Sequence, residues 1–254
     1  MKTIEQTSQD AEYSIPYHYI TRRPIKNFGQ HFVDTWGINY ISTIEFMLKK
    51  IETLGPSSIV DIGCGDGRLT REIFLENSNK KVLGIDYSER AIKLAQAMNS
   101  DLTGIEFKSI DITSRSFDEK FDLAVLMEVY EHIPLDAISE FLAGVRSLIK
   151  PEGLLLLTVP HTNKPLEYKH FQHFTIEGLN NQLSSHFEVI EVIPFEKRGL
   201  LRRLLNFLLC NRFCVLNNRR LLNFLYYFHE KYLFKCNTEN ECQRLFVLAK
   251  PKAA

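Results

Sequence analysis

Between positions 58 and 159 the chain alternates short apolar runs with amphipathic stretches. Ser58–Ile62, Lys81–Asp86, residues 105–110, Phe121–Met127 and residues 154–159 are the apolar runs, and each has the length of a buried strand. The helical stretches are residues 38–54, a segment from Leu69 to Glu76, Glu89–Met98 behind the N-cap candidate Ser88, and residues 135–149. Phe121–Met127 is apolar almost throughout, as a parallel strand covered on both faces should be. Strands alternating with helices predict an α/β fold, a doubly wound parallel sheet with right-handed crossovers. Ligands of such a sheet lie at the carboxyl ends of its strands. Residues 187–193 and 244–249 read as two closing strands with about 50 residues between them.

The stretch Ile59-Val-Asp-Ile-Gly-Cys-Gly-Asp-Gly-Arg68 falls where such a site is expected. Gly63, Gly65 and Gly67 make a strand-to-helix turn in which a ligand can approach the backbone, and the turn is expected to offer N–H groups at the helix start. Its spacing is neither the dinucleotide fingerprint nor a phosphate loop. Asp61, just before the first glycine, suits a cationic ligand group better than a pyrophosphate. Asp86 ends the second strand 21 residues past Gly65, the position from which an acid hydrogen-bonds ribose hydroxyls. Asp111 and Ile112 follow the third strand in the same way.

Together these ordered motifs, over residues 56–159, resemble the class I S-adenosylmethionine-dependent methyltransferases. The resemblance implies a seven-stranded Rossmann-like sheet and S-adenosyl-L-methionine as cofactor, with S-adenosyl-L-homocysteine as product. It implies that Asp61, Gly63 and Gly65 surround the methionine moiety, that Asp86 holds the ribose and that Asp111 and Ile112 hold the adenine. Cys64, Tyr87 and Met127 fall on the cofactor side as well. The two closing strands would form the family's antiparallel pair, and the long segment between them departs from the minimal fold.

Met127-Glu-Val-Tyr-Glu-His132 follows the fourth strand, and the resemblance implies that Glu128, Glu131 and His132 lie beside the reacting methyl. Methyl transfer to a hydroxyl needs the acceptor oriented and its proton removed. Histidine has the intrinsic pKa for that, so His132 is the first candidate base. The same E-x-x-E-H pattern resembles the metal-binding motif of the ubiquinone-biosynthesis O-methyltransferases and of the small-RNA 3′-terminal ribose methyltransferases. A divalent ion such as Mg²⁺ would there act as a Lewis acid. A metal-free base, a metal site and a structural role all stay open, and no residue is assigned as a metal ligand. His161, His170 and His173 lie in the loop after the fifth strand, which overhangs the acceptor side. The tail of that loop resembles its counterpart in methyltransferases of bacterial surface-glycan assembly.

An apolar content of 44% supports a packed core, and 24% charged residues is ordinary for a soluble chain. The five cysteines are irregularly spaced, which favours neither a disulfide framework nor a zinc site. No long uncharged apolar run is present and the start is polar, so a cytoplasmic protein is expected. The zero net charge hides an asymmetry: residues 197–235 hold nine Lys/Arg against one acid, Glu230. Within that segment, residues 199–209 and 221–228 read as helices. Leu201, Leu204, Leu205 and Leu208 make a stripe opposite Arg198, Arg202, Arg203 and Asn206. Such a helix suits an anionic membrane surface, at the inner face of a membrane. A helical cap, a homodimer interface and RNA contact are the other readings, and the absence of an aromatic-interleaved basic platform disfavours nucleic acid. Tyr13, Tyr17, Tyr19, Phe28, Phe32 and Trp36, with His18, His31, Arg22 and Arg23, read either as a lid or as packing on the core.

Four regions follow: a lid and first helix over 1–54, a cofactor-binding core over 55–196, a basic apolar helical insertion over 197–241, and a final strand and tail over 242–254. The expected activity is O-methylation, with a sugar hydroxyl of a surface glycan or lipid-linked precursor as acceptor. The alternatives are a quinone precursor, an RNA ribose, or a cofactor-binding protein without turnover.

Overall fold

A computed structural model of the protein describes residues 36–76, 78–113, 118–209 and 216–252, with positions 6, 21, 22, 29 and 30. The aromatic positions 13, 17, 19, 28 and 32, His18, His31, Arg23 and the side chains of Arg22 and Trp36 lie outside the described residues, as do Cys210 and Cys214. A short antiparallel ladder pairs Thr21–Arg22 with Gly29–Gln30.

One seven-stranded sheet organises the rest. Its strands are β1 (Ser58–Ile62), β2 (Lys81–Asp86), β3 (Ile105–Ser109), β4 (Phe121–Met127), β5 (Ile149–Pro160), β6 (Phe187–Lys197) and β7 (Cys242–Pro251). Across the sheet they run β3-β2-β1-β4-β5-β7-β6. The first five are parallel, while β7 is antiparallel to both β5 and β6. The strand order reverses between β1 and β4, and this switch point opens the crevice that a ligand fills.

Helices α1 (Trp36–Leu54), α2 (Arg68–Glu76), α3 (Glu89–Met98), α4 (Ile138–Ser147) and α5 (Ile176–Leu183) cover the two faces. On one face Met47 and Ile51 of α1 join Ile59, Leu123 and Phe246. On the other, Phe141 and Val145 of α4 and Leu179 and Leu183 of α5 pack on Val60, Leu126 and Leu157. Ser88 caps α3, its hydroxyl accepting from the Ala91 amide.

The stretch expected as one helix over 135–149 is a 3-10 turn, Leu135–Ala137, followed by α4. The next strand begins at Ile149 rather than 154. The pairing of β4 with β5 shifts register between Phe121 and Leu123, which takes Lys150-Pro-Glu-Gly153 into the strand as an irregularity.

The insertion forms α6 (Leu200–Leu209), α7 (Arg219–Phe228) and a π-helical turn, His229–Phe234. Its apolar side packs on the first turns of α1: Leu205, Leu209, Leu222, Leu225, Tyr226 and Leu233 enclose Ile38 and Ile41. Of the expected leucine stripe only Leu205 is buried. Leu201 and Leu204 are each 55% exposed, whereas Arg202 is only 5% exposed. Arg202 finds a buried carboxylate in Glu196, and that pairing fixes how α6 is rotated. Among the described residues no helix is long and apolar enough to cross a membrane.

Candidate active site

The β1–α2 turn is built on its glycines. Gly63, Gly65 and Gly67 have φ of 72°, 58° and 79°, the left-handed region that glycine enters without strain. A Cβ on Gly63 would lie 2.6 Å from Val129 Cγ2, so the β4 loop can close against the turn only because position 63 has no side chain. The N–H groups expected to face a ligand are spent internally. The Gly63 and Cys64 amides donate to Ile85 O, and the Gly65 amide donates to Asp86 Oδ2 at 3.1 Å. Asp86 Oδ1 accepts from the Ser88 amide at 2.9 Å. Asp86 thus locks the end of β2 to the glycine turn.

A cavity of about 250 Å³ opens beside this turn. Gly63, Asp86, Tyr87, Asp111, Ile112, Glu128, Val129 and His132 line it. Gln6 of the N-terminal region also lines it. Asp61 turns away, its carboxylate accepting from the Thr70 hydroxyl at 2.6 Å. Burial, helped by the nearby Asp86 charge, pushes the Asp61 carboxyl up to about 7 against that hydrogen bond. Cys64 packs in an apolar cluster with Ile92, Ala95 and Phe107, where burial raises its thiol pKa further. Met127 packs against the cluster on the α1 side. Asp111 holds an Asx turn, accepting from the Thr113 amide and hydroxyl.

Beyond β4, Glu128 takes a left-handed conformation, φ 57°, and its Oε2 accepts from Arg244 Nε at 2.8 Å. Tyr130–His132 forms a 3-10 turn. Glu131 is 1% exposed, and neither carboxylate oxygen has a hydrogen-bond partner among the described residues. Burial first, and Glu128 second, hold its pKa well above the carboxylate range.

The loop after β5 folds back over this turn: the Phe171 amide donates to Glu131 O at 2.9 Å. His132 Nδ1 lies 3.0 Å from Lys169 O. A carbonyl only accepts, so Nδ1 carries the proton and Nε2 is the basic nitrogen. The same reasoning runs through the second pair. His173 Nδ1 donates to Lys164 O at 3.0 Å, and His170 Nδ1 donates to His173 Nε2 at 2.8 Å, which leaves Nε2 of His170 basic. Burial, reinforced by His132, holds the His170 pKa down at about 3. His161 does structural work instead, between Glu239 and the Asn163 amide.

Glu131, His132 and His170 bring one carboxylate oxygen and one ring nitrogen from each imidazole within 4.8 Å of one another. Two imidazoles and an unpartnered buried carboxylate fit a divalent ion. The set is not the one that E-x-x-E-H spacing suggests, because Glu128 is engaged by Arg244 and His170 comes from another loop. Arg244 and Glu196 were missed by sequence reasoning. The available signal was an arginine directly before the apolar run Leu245–Ala249 of β7.

The topology, with its cavity at the switch point, defines a class I methyltransferase fold. A family model described as a methyltransferase domain matches residues 56–198, more than half of the chain. The chain belongs to this family of S-adenosylmethionine-dependent methyltransferases. It is similar to an N-methyltransferase from Bradyrhizobium japonicum in complex with S-adenosyl-L-homocysteine, with a TM-score of 0.62, 15% identity, and coverage of 99% of this chain and 100% of that one. Magnesium protoporphyrin IX methyltransferase from Synechocystis, with S-adenosylmethionine bound, gives a TM-score of 0.60 at 16% identity over 98% of both chains. These two likenesses show the fold. By sequence, the chain is 30% identical over 127 residues to ubiquinone biosynthesis O-methyltransferase of Leptothrix cholodnii, covering 48% of this chain and 51% of that protein. It is also 30% identical over 166 residues to a tRNA N(3)-methylcytidine methyltransferase of Schizosaccharomyces pombe, covering 61% and 53%. The chain spans about half the length of the curated relatives it matches.

Proposed function

We propose that this protein transfers the methyl group of S-adenosylmethionine to a hydroxyl oxygen, and that the acceptor is a sugar of a surface glycan or of a lipid-linked precursor. The observation that carries the chemistry is His132, held by Lys169 O with Nε2 basic at the cavity wall. In this reading the acceptor hydroxyl donates its proton to His132 as oxygen attacks the sulfonium-bound methyl in line. The methyl–sulfur bond breaks and leaves neutral S-adenosylhomocysteine. Asp86 and Asp111 accept from the cofactor's ribose and adenine ends, and Gln6 belongs to a lid closing the same cavity.

The glycan reading rests on the His170-x-x-His-Phe-Thr loop. The lipid-linked reading rests on the exposed leucines of α6 together with the exposed Arg203, Arg219 and Arg220, which would seat the enzyme on an anionic membrane surface. The test is incubation of the purified protein and S-adenosylmethionine with lipid-linked and free glycan acceptors, read by mass spectrometry. A methyl ether on a sugar supports the proposal. Methylation confined to nitrogen, or to non-sugar acceptors, overturns it.

A second reading is favoured by the unpartnered Glu131. Glu131, His132 and His170 would hold a divalent ion, which would lower the acceptor hydroxyl's pKa. The protein would still orient the acceptor and carry away the proton. Calorimetric titration with Mg²⁺ or Mn²⁺ separates the two: binding lost in Glu131→Gln supports the ion, and no binding restores the metal-free base.

A further inference from the structure

The helical hairpin and Glu128 are joined by one buried run of charges. Glu196 sits near the end of β6 and is 4% exposed. Its Oε1 accepts from Arg202 Nη2 at 2.9 Å and from Asn39 Nδ2 at 2.6 Å. Its Oε2 forms an ion pair with Arg244 Nη1. Arg244 Nε in turn donates to Glu128 Oε2. From the hairpin inward the charges alternate: Arg202, Glu196, Arg244, Glu128. Three elements meet at Glu196, since Asn39 belongs to α1, Arg202 to α6 and Arg244 to β7.

Buried ion pairs of this kind add little net stability over apolar side chains of similar volume, because desolvation offsets the attraction. Their contribution is geometric: a guanidinium fork fixes the direction of each carboxylate it holds. The backbone points the same way. Glu128 and Glu196 are the two non-glycine residues with left-handed φ among the described residues, at 57° and 60°. A side-chain-bearing residue stays there only when its surroundings over-determine it. Both clasp the same arginine.

We propose that Arg202, Glu196 and Arg244 are positioning residues that transmit the seating of the α6–α7 hairpin to Glu128 and the 128–132 turn. With the hairpin seated, Arg202 shares the charge of Glu196, and Arg244 is divided between Glu196 and Glu128. When the hairpin lifts, Glu196 loses one partner and draws Arg244 to itself. Glu128 is then released at the acceptor end of the cavity, and methyl transfer slows. The inference rests on Glu128 lining that cavity, not on which acceptor is methylated.

Amide hydrogen exchange on the full chain tests this without an acceptor. The Glu128 amide donates to Thr158 O and the His132 amide to Val129 O, so both are protected reporters. Arg202→Met should speed exchange over 128–132 at least fivefold, in addition to loosening 196–209. Arg203→Met, an exposed neighbour outside the charge run, should leave 128–132 unchanged. Glu196→Gln removes the carboxylate that competes for Arg244 and should leave 128–132 protected, while Arg202→Lys should restore part of the protection lost in Arg202→Met. Wild-type exchange over 128–132 in Arg202→Met with the hairpin loosened, or loosening of 128–132 in Glu196→Gln as large as in Arg202→Met, overturns the relay. S-adenosylhomocysteine titration reports separately on the methyltransferase reading: wild-type protein that fails to bind it sinks that reading and leaves the exchange result standing.

Discussion

At the carboxyl ends of β1, β2 and β3 each acid has a partner close in sequence, Asp61 with Thr70, Asp86 with Ser88 and Asp111 with Thr113, although Asp86 also holds the Gly65 amide. On the other side of the switch point the polar contacts cross the chain. Glu128 meets Arg244, Asn39 meets Glu196, and His132 meets Lys169. The first set is local turn chemistry attached to strand ends. The second forms only when distant segments meet, β7 for Glu128, β6 for Asn39 and the loop after β5 for His132. The cofactor end should therefore tolerate damage by losing affinity while staying folded. The acceptor end should lose chemistry or geometry when single long-range partners are removed.

The largest expected effect tests the acceptor end. His132→Ala should lower turnover by about 10²–10⁴, the usual contribution of a general base, while S-adenosylhomocysteine still binds. Single-turnover kinetics with the true acceptor read the first quantity and calorimetry the second. Near-normal turnover would remove His132 from the mechanism.

Asp86→Ala tests the cofactor end. Losing charge-assisted hydrogen bonds should weaken S-adenosylhomocysteine binding by about 1.5–3 kcal/mol with the fold retained. Because Asp86 also accepts from the Gly65 and Ser88 amides, Asp86→Asn should keep part of the affinity. If the alanine variant binds normally, the ribose lies elsewhere.

This contrast also sets what the sequence could reveal. Strands β1, β2 and β4 are short apolar runs with clear ends, and Ser88 announces α3, so those elements were legible residue by residue. The glycine turn was legible as a turn, but the fate of its amides was not, because Ile85 O and Asp86 come from the next strand. The 135–149 stretch has helical spacing, yet its end belongs to β5, since pairing with Phe121 outweighs the local period. In α6 the apolar spacing suggested a leucine face. A buried ion pair turned Arg202 inward and left Leu201 and Leu204 in solvent. His170 joined Glu131 and His132 only through loop geometry, which spacing does not encode.

A smaller effect sharpens the long-range side. His229 is fully buried, and its Nδ1 accepts from Arg202 Nη1 at 3.3 Å. Burial, with Arg202 adding to it, lowers its pKa to about 3, below the ordinary value of 6.5. The unfolded chain then binds more protons between those values, so stability present above pH 6.5 is lost as pH falls. Relative to His229→Gln, wild-type protein should lose up to about 2 kcal/mol between pH 7 and pH 5. Urea unfolding at both pH values measures it. A pH-independent difference would mean that the folded protein binds the His229 proton as readily as the unfolded chain does.

The smallest effect per residue concerns the outer face of the hairpin, where the comparison has a third term. Arg203, Arg219 and Arg220 are exposed, unlike Arg202, and so are Leu201, Leu204, Phe207 and Phe224 of the same hairpin. Each basic side chain near an anionic bilayer contributes about 1 kcal/mol, and salt screens it. Apolar insertion adds a part that salt leaves intact. Co-sedimentation with anionic and neutral vesicles over a salt series should therefore show binding that weakens with salt but does not vanish. Reversing Arg203, Arg219 and Arg220 to Glu should release the protein from anionic vesicles at low salt, with S-adenosylhomocysteine binding unchanged. Replacing Leu201, Leu204 and Phe207 with Ser should remove the salt-resistant part alone. Wild-type protein that ignores both vesicle types and sediments as a dimer disrupted by those serines would identify the hairpin as a subunit interface. The acceptor would then be a soluble one.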